Sequence, residues 1–133
     1  MTRQLLVPMD DSEPARAALE HALSVFPDAE VTVVHAVDDL EAGYGGGPEP
    51  GADGTTPAFF ADVHDIAADH DRTVETTVIE GTSADAILEY ARREGIDQIV
   101  MGSEGRSGVS RMLLGSVAEA VARRSSVPVT IVP

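Results

Sequence analysis

Closely spaced glycines in the last third of the chain are the strongest sign of chemistry: Gly102, Gly105, Gly108 and Gly115. Glycine lets backbone amides approach a ligand and adopt positive φ. The stretch leads into a helical pattern, and a helix amino terminus adds unpaired N–H donors and partial positive charge. Serine hydroxyls and two cations, Arg106 and Arg111, lie in the same stretch. It predicts a phosphate cradle built from amides; a glycine-rich surface loop without a ligand is the alternative.

A second group of polar residues follows the first apolar run, in the sequence Pro8-Met9-Asp10-Asp11-Ser12. In an open α/β sheet, ligands bind outside the carboxyl ends of the strands, where the strand order reverses. The loop after the first strand would meet the glycine-rich stretch there. Asp10 is then placed to accept hydrogen bonds from ribose hydroxyls, although a helix cap is the simpler interpretation of this residue.

The chain contains neither cysteine nor lysine, and each of these absences excludes a class of mechanism. Without cysteine there is no disulfide framework, no thiolate nucleophile and no cysteine-ligated zinc. All nine basic residues are arginine, so the Walker-A lysine, the Schiff-base lysine and the kinase strand lysine are excluded as well. A phosphate would have to be held by backbone amides and arginine.

The charge balance of the 133 residues is strongly acidic, with 23 acidic residues and a formal net charge of −14. At molar salt the screening length falls to about 3 Å, and such a charge then favours solubility. The composition indicates the cytoplasm of an extreme halophile, with ordinary acidic drift as the alternative. Nucleic acid is not expected as a partner because phosphate binding needs a basic face. No apolar run approaches the roughly 18 residues of a membrane span.

The elements that must position these residues alternate along the chain. Apolar runs predict five strands, at residues 4–9, 31–37, 74–79, 96–101 and 129–132. Helical spacing predicts a helix capped by Ser12, one around Phe60, one capped by Thr82 and ending at Gly95, and one from Leu114 to Ala122. Such alternation predicts one α/β domain with a parallel sheet and helices on both faces. The first and fourth strands are the least polar and are expected near the centre, whereas the third is expected at an edge.

Other segments carry weaker signals. Residues 38–57 are rich in glycine, proline and acids, which predicts a flexible loop at about 40–57. His64 and His70 lie among aspartates, but six residues on a helix do not bring two side chains together. We interpret that segment as a solvated acidic face. His35, inside an apolar strand, is expected to be a hydrogen-bonded core residue.

The spacing Gly102-x2-Gly105-x9-Gly115-Ser116 resembles the glycine signature of the ATP-binding universal stress proteins. VPMDDS resembles the first strand and turn of that family, VVHAVD its second strand, and GSVAEAVARRSSVPVTIV its carboxyl end. The resemblance covers nearly the whole chain, apart from residues 40–57. It implies a doubly wound fold of the adenine nucleotide alpha hydrolase type, with sheet order 3-2-1-4-5.

The resemblance also implies a ligand and the residues that bind it. ATP, with Mg²⁺ or Mn²⁺ as an accompanying ion, is the expected cofactor. Adenosine would be held by Pro8, Asp10, Ala36 and Met101. The phosphates would be held by Gly102, Gly105, Arg106, Gly115, Ser116 and Val117. The chain departs from the family pattern at Glu104, where histidine is common, and at Asp11, where glycine is common. Both substitutions add negative charge near the phosphates, so ATP binding is expected to be weak or salt-dependent, unless the Glu104 carboxylate points outward or helps to hold a cation.

Three classes of function remain open from the sequence. The first is a cytoplasmic, nucleotide-dependent regulatory module that forms a homodimer through the uncharged strand at residues 129–132. The second is a slow ATPase or a protein that phosphorylates its own Ser116, although no general base is evident. The third is a dimer that binds no nucleotide and acts by protein contacts alone; the intact glycine spacing speaks against it, and Glu104 speaks for it.

Overall fold

A five-stranded, all-parallel sheet forms the centre of the computed structural model, which describes residues 2–37, 57–103 and 115–133. Numbered in chain order, the strands pair in the order 3-2-1-4-5, as the family resemblance implied. The loop predicted at about 40–57 lies, except for Pro57, outside the described residues. The elements are, in chain order, β1 (Gln4–Pro8), α1 (Glu13–Val25), β2 (Glu30–Val37), α2 (Phe60–Asp69), β3 (Glu75–Glu80), α3 (Ser83–Arg93), β4 (Gln98–Gly102), α4 (Ser116–Arg124) and β5 (Val129–Val132).

Apolar side chains on both faces of the sheet build two cores. Leu5 and Val7 of β1 point to one face, where α1 and α2 pack. Leu6 and Ile99 point to the other, where α3 and α4 pack. Because β1 and β4 are covered on both faces, their middle residues are fully buried and nearly all apolar. The continuous apolar runs of these strands therefore follow from their central positions.

At several helix ends, the residue predicted from the local sequence to cap or stop the helix is the one that the structure shows. Ser12 Oγ accepts a hydrogen bond from the Ala15 amide at 3.3 Å, and Gly95 stops α3 with a φ of +66°, both as predicted. Thr82 is the N-cap residue of α3, as predicted, but its side chain makes no capping hydrogen bond. At the far end of α1, the guanidinium group of Arg72 donates to the Leu23 carbonyl at 3.1 Å and satisfies a terminal acceptor.

The end of β4 lies against the first turn of α1, and a glycine is required there for steric reasons. A Cβ placed on Gly102 would come within 2.7 Å of the Pro14 carbonyl carbon and 2.8 Å of the Pro14 oxygen. These are backbone atoms of a packed helix, so they cannot move aside as a side chain would. Gly102 therefore sets the distance between β4 and α1, independently of any ligand.

In the part of the chain that the structure describes, no helix combines the length and the apolarity needed to cross a bilayer.

The close approach at Gly102 predicts a loss of stability on substitution. Gly102→Ala should lower the free energy of unfolding by about 1–3 kcal/mol, the usual cost of overpacking a rigid contact. Urea unfolding of the ligand-free protein, followed by circular dichroism, measures this difference. Ser103→Ala, one residue further along, is the control and should change stability by no more than about 0.5 kcal/mol. An alanine variant at 102 as stable as the native chain would contradict the packing argument.

Candidate functional site

A crevice of about 280 Å³ opens at the carboxyl edge of the sheet. Its floor is formed where β1, β2 and β4 end, and its walls come from the first turns of α3 and α4. The segments that follow β1 and β4 lead to α1 and α4, which pack on opposite faces of the sheet. That divergence opens a crevice at the point where the strand order reverses. The residues that line it are Pro8, Met9, Asp10, Ala15, Val34, His35, Ala36, Ser83, Ile87, Met101, Gly102, Gly115, Ser116, Val117 and Ala118.

Most of the site residues predicted from the sequence meet at this crevice. Those that line it are Pro8, Asp10, Ala36, Met101, Gly102, Gly115, Ser116 and Val117. They come from three strand ends and one helix start, which are separated by up to about a hundred residues in the chain. Gly105 and Arg106 lie outside the described residues, as does Glu104. The structure thus brings the loop after β1 and the two described ends of the glycine-rich stretch, Gly102 and Gly115, to one edge.

The loop after β1 is fixed from behind by a histidine of β2. The Met9 amide donates to the Val34 carbonyl at 2.8 Å, and His35 Nδ1 lies 2.9 Å from the Met9 carbonyl oxygen. Since a carbonyl oxygen only accepts, His35 Nδ1 must carry the proton. The imidazole also meets the ring of Phe59 edge-on, with centroids 5.2 Å apart. His35 is hydrogen-bonded, as expected, but it is only half-buried, and it holds the backbone that precedes Asp10.

The amino terminus of α4 presents backbone amides to the crevice. Its N-cap residue is Gly115, which has no side chain to cap the first turn. The Gly115 amide donates to the Ser103 carbonyl at 2.7 Å, so the end of β4 and the start of α4 are held together. First-turn amides and the helix dipole give this end a partial positive charge. An anionic group at this end of the crevice would be stabilised without a cationic side chain.

The expectation that Asp11 adds its charge to the site is corrected by the structure. The carboxylate of Asp11 forms an ion pair with Arg16, and Arg16 also reaches Asp62 of α2 at 3.1 Å. The hydrogen bond to Asp11 raises the pKa of the Arg16 guanidinium above its usual value. Asp11 does not line the crevice, whereas the adjacent Asp10 does. Two neighbouring aspartates therefore face different surroundings.

Several lining residues were missed by the sequence interpretation, most clearly Ser83 and Ile87 on α3. They lie four positions apart and so share one face of the helix. A usable signal existed, because a helix that follows a parallel strand starts at the carboxyl edge of the sheet. The first residue of α3 could have been placed there from the predicted topology alone.

The chemistry of the lining residues sets limits on a metal. Asp10 is the one carboxylate among the described lining residues, so Mg²⁺ or Mn²⁺ there would need phosphate oxygens and water for its remaining ligands. In residues 2–37, 57–103 and 115–133, no group of three or more acids and histidines is arranged to hold a metal ion. His70 contacts Glu20 at 3.1 Å, whereas His64 lies 3.5 Å from Thr76 Oγ1, so these two histidines have separate partners.

Comparisons with known proteins agree with this architecture. The model of the universal stress protein family matches residues 1–133. Universal stress protein MJ0531 of Methanocaldococcus jannaschii is 31% identical over 98% of this chain and 81% of its own length. A crystal structure of a universal stress protein in complex with cAMP is 27% identical, with a TM-score of 0.74 over 98% of this chain and 97% of that chain. UspA from Lactobacillus plantarum, 23% identical, shares the fold with a TM-score of 0.75 over 98% of this chain and 97% of its own.

Proposed function

Because the chain belongs to the universal stress protein family, we propose that it binds an adenine nucleotide, ATP first among them, in the crevice at the carboxyl edge. Binding would make it a nucleotide-dependent regulatory module. A relative 27% identical to this chain was crystallised with cAMP, which supports an adenine nucleotide as the ligand class. The proposal rests mainly on the order in which apolar, acidic and glycine residues follow one another along the carboxyl edge of the sheet.

Three neighbouring strands supply three kinds of contact in the sequence β2, β1, β4. Ala36 lies at the end of β2, Asp10 follows β1, and Gly102 ends β4. Neighbouring strands are about 4.8 Å apart, so the array spans about 10 Å from β2 to β4. A nucleoside monophosphate has about this length from base to phosphate. The order of the strands therefore matches the order base, ribose, phosphate.

The β2 end of the crevice suits a planar base. The lining there is apolar, with Val34 and Ala36 from β2 and Ile87 from α3, and Met101 lines the crevice from β4 on the far side of β1. The small side chain of Ala36 leaves room for a ring, and Met101 is a flexible, polarisable side chain that packs well on aromatic faces. Burial of the base between these residues would supply the apolar part of the binding free energy.

The middle and the β4 end of the crevice suit the ribose and the phosphates. Asp10 projects from the loop that His35 holds, and a carboxylate accepts hydrogen bonds from vicinal hydroxyls. Beyond it, the amides of Ser116 and Val117 lie in the first turn of α4 and favour an anion. Gly105, which belongs to the family signature, and the adjacent cation Arg106 would add to the phosphate end.

Adjacent aspartates offer a matched test of this site. Asp10→Asn should weaken ATP binding about tenfold or more, because a hydrogen bond to a charged group is lost. Asp11→Asn makes the same chemical change one residue away, on a side chain engaged by Arg16, and should leave affinity within about twofold. Isothermal titration calorimetry with ATP and cAMP measures both. Equal losses in the two variants, or no binding by the native chain up to millimolar nucleotide, would contradict the proposed site.

We also propose that two copies of the chain pair along β5. Within the described residues β5 is an edge strand without charged side chains, whereas the opposite edge strand, β3, carries Glu75 and Glu80. The Ile99 amide donates to the carbonyl of Pro128, the residue before β5, and the Ser103 amide donates to the carbonyl of Val132 at the end of β5. In a parallel ladder, alternate residues bond to the same neighbour, so the backbone groups of Val129 and Ile131 face outward. An uncharged edge of this kind can pair with a second chain.

The outward amide of Val129 allows a test that spares the rest of the sheet. Val129→Pro removes this donor without touching the hydrogen bonds to β4, and we expect it to shift the protein from dimer to monomer. Val129→Ala keeps the amide and should remain dimeric. Light scattering after gel filtration gives the mass of each variant, and circular dichroism checks that each is folded. A proline variant that stays dimeric would exclude pairing along this edge.

A further inference from the structure

Ser83 is the one side chain of α3 that brings a hydroxyl to the crevice wall. It is the first residue of the helix and is half-buried, with Ile87 on the same face one turn later. Thr82, which precedes it, is exposed and does not line the crevice. A polar group thus lies beside an apolar wall that was assigned above to the base.

The position of Ser83 along the crevice follows from the path of α3. This helix leaves β3 and packs on β2 and β3, so its first residue lies toward the β2 side of the carboxyl edge. Ser116, the first residue of α4, lies toward β4, from which the chain enters that helix. The two serines therefore stand at opposite ends of the crevice. Whatever ligand spans it presents one end to Ser83 and the other to Ser116.

The orientation of a bound adenine nucleotide then fixes what faces Ser83. With phosphate at the α4 end and ribose at Asp10, the base points toward β2. The base atoms that are most distant from the ribose then lie nearest to β2. In adenine the glycosidic bond is at N9, and the exocyclic 6-amino group lies on the opposite side of the ring. That amino group is a hydrogen-bond donor, and a serine hydroxyl oxygen is an acceptor.

We propose that Ser83 is a specificity-determining residue whose hydroxyl accepts a hydrogen bond from the 6-amino group of the bound adenine. This inference rests on the proposed function, since it takes an adenine nucleotide in the crevice as its premise. It adds a contact from α3, whereas the binding residues proposed from the glycine signature and from the loop after β1 lie outside this helix. Recognition of the base then comes from a side chain, whereas the phosphate end relies on backbone amides.

The test compares two ligands on two proteins. The ligands are ATP, or cAMP if the native chain binds it more tightly, and the matching purine riboside nucleotide, which lacks only the 6-amino group. The native chain should prefer the adenine nucleotide about fivefold, the usual contribution of one neutral hydrogen bond. Ser83→Ala should lose about fivefold in affinity for the adenine nucleotide, leave the analogue unchanged, and so abolish the preference. Alanine is favourable in a first helical turn, so the variant is expected to fold.

Ser126→Ala is the matched control, because it deletes the same hydroxyl from an exposed residue just before β5, at the opposite edge of the sheet. Its affinities should equal those of the native chain. A Ser83→Ala variant that retains the native preference, or that loses both ligands equally, would overturn the role of Ser83 and leave the proposed nucleotide site standing. A native chain that binds neither ATP nor cAMP would instead overturn the proposed function, and this inference with it.

Discussion

The parallel pairing of β1 with β4 is the constraint on which the site depends. It places side by side two strands whose following helices pack on opposite faces of the sheet. After β1 the chain turns to the face that α1 covers, and after β4 it turns to the face that α4 covers. The two connections therefore lead to opposite faces of the sheet, and the crevice lies beside them at the carboxyl edge. The contact of Gly102 with Pro14 sets how closely β4 approaches α1 beside this crevice. The contact between Gly102 and Pro14 thus affects both the packing of β4 against α1 and the space at this side of the crevice.

The electrostatics of the crevice follow from this geometry. The formal charge of the chain is −14, yet only one of its carboxylates, that of Asp10, is among the described lining residues. Asp11 is turned toward Arg16 and α2. An anion at the start of α4 would therefore meet fixed amide dipoles, which contribute a favourable potential without a mobile cation. A chain without lysine can still offer a phosphate such a site.

Local patterns predicted the elements and their order, because each depended on a few neighbouring residues. The apolar runs of β1 and β4 marked the centre of the sheet, Ser12 and Gly95 marked helix ends, and the strand order came with the family resemblance. Contacts across the fold were not predictable in this way. Arg16 pairs with Asp11 and also with Asp62 of α2, which lies 46 residues further along the chain. Ser83 lies at the crevice only because α3 starts at the same edge as α4.

A titration of the ¹⁵N-labelled chain with ATP and with cAMP, followed by amide chemical shifts, tests the central claim most directly, since it observes the backbone donors themselves. The account predicts saturable shifts that are largest at Gly102, Gly115, Ser116 and Val117, with Gly95 at the opposite edge of the sheet unmoved. Shifts confined to the ends of α3 and α4 around Gly95, or no shifts at millimolar nucleotide, would contradict it.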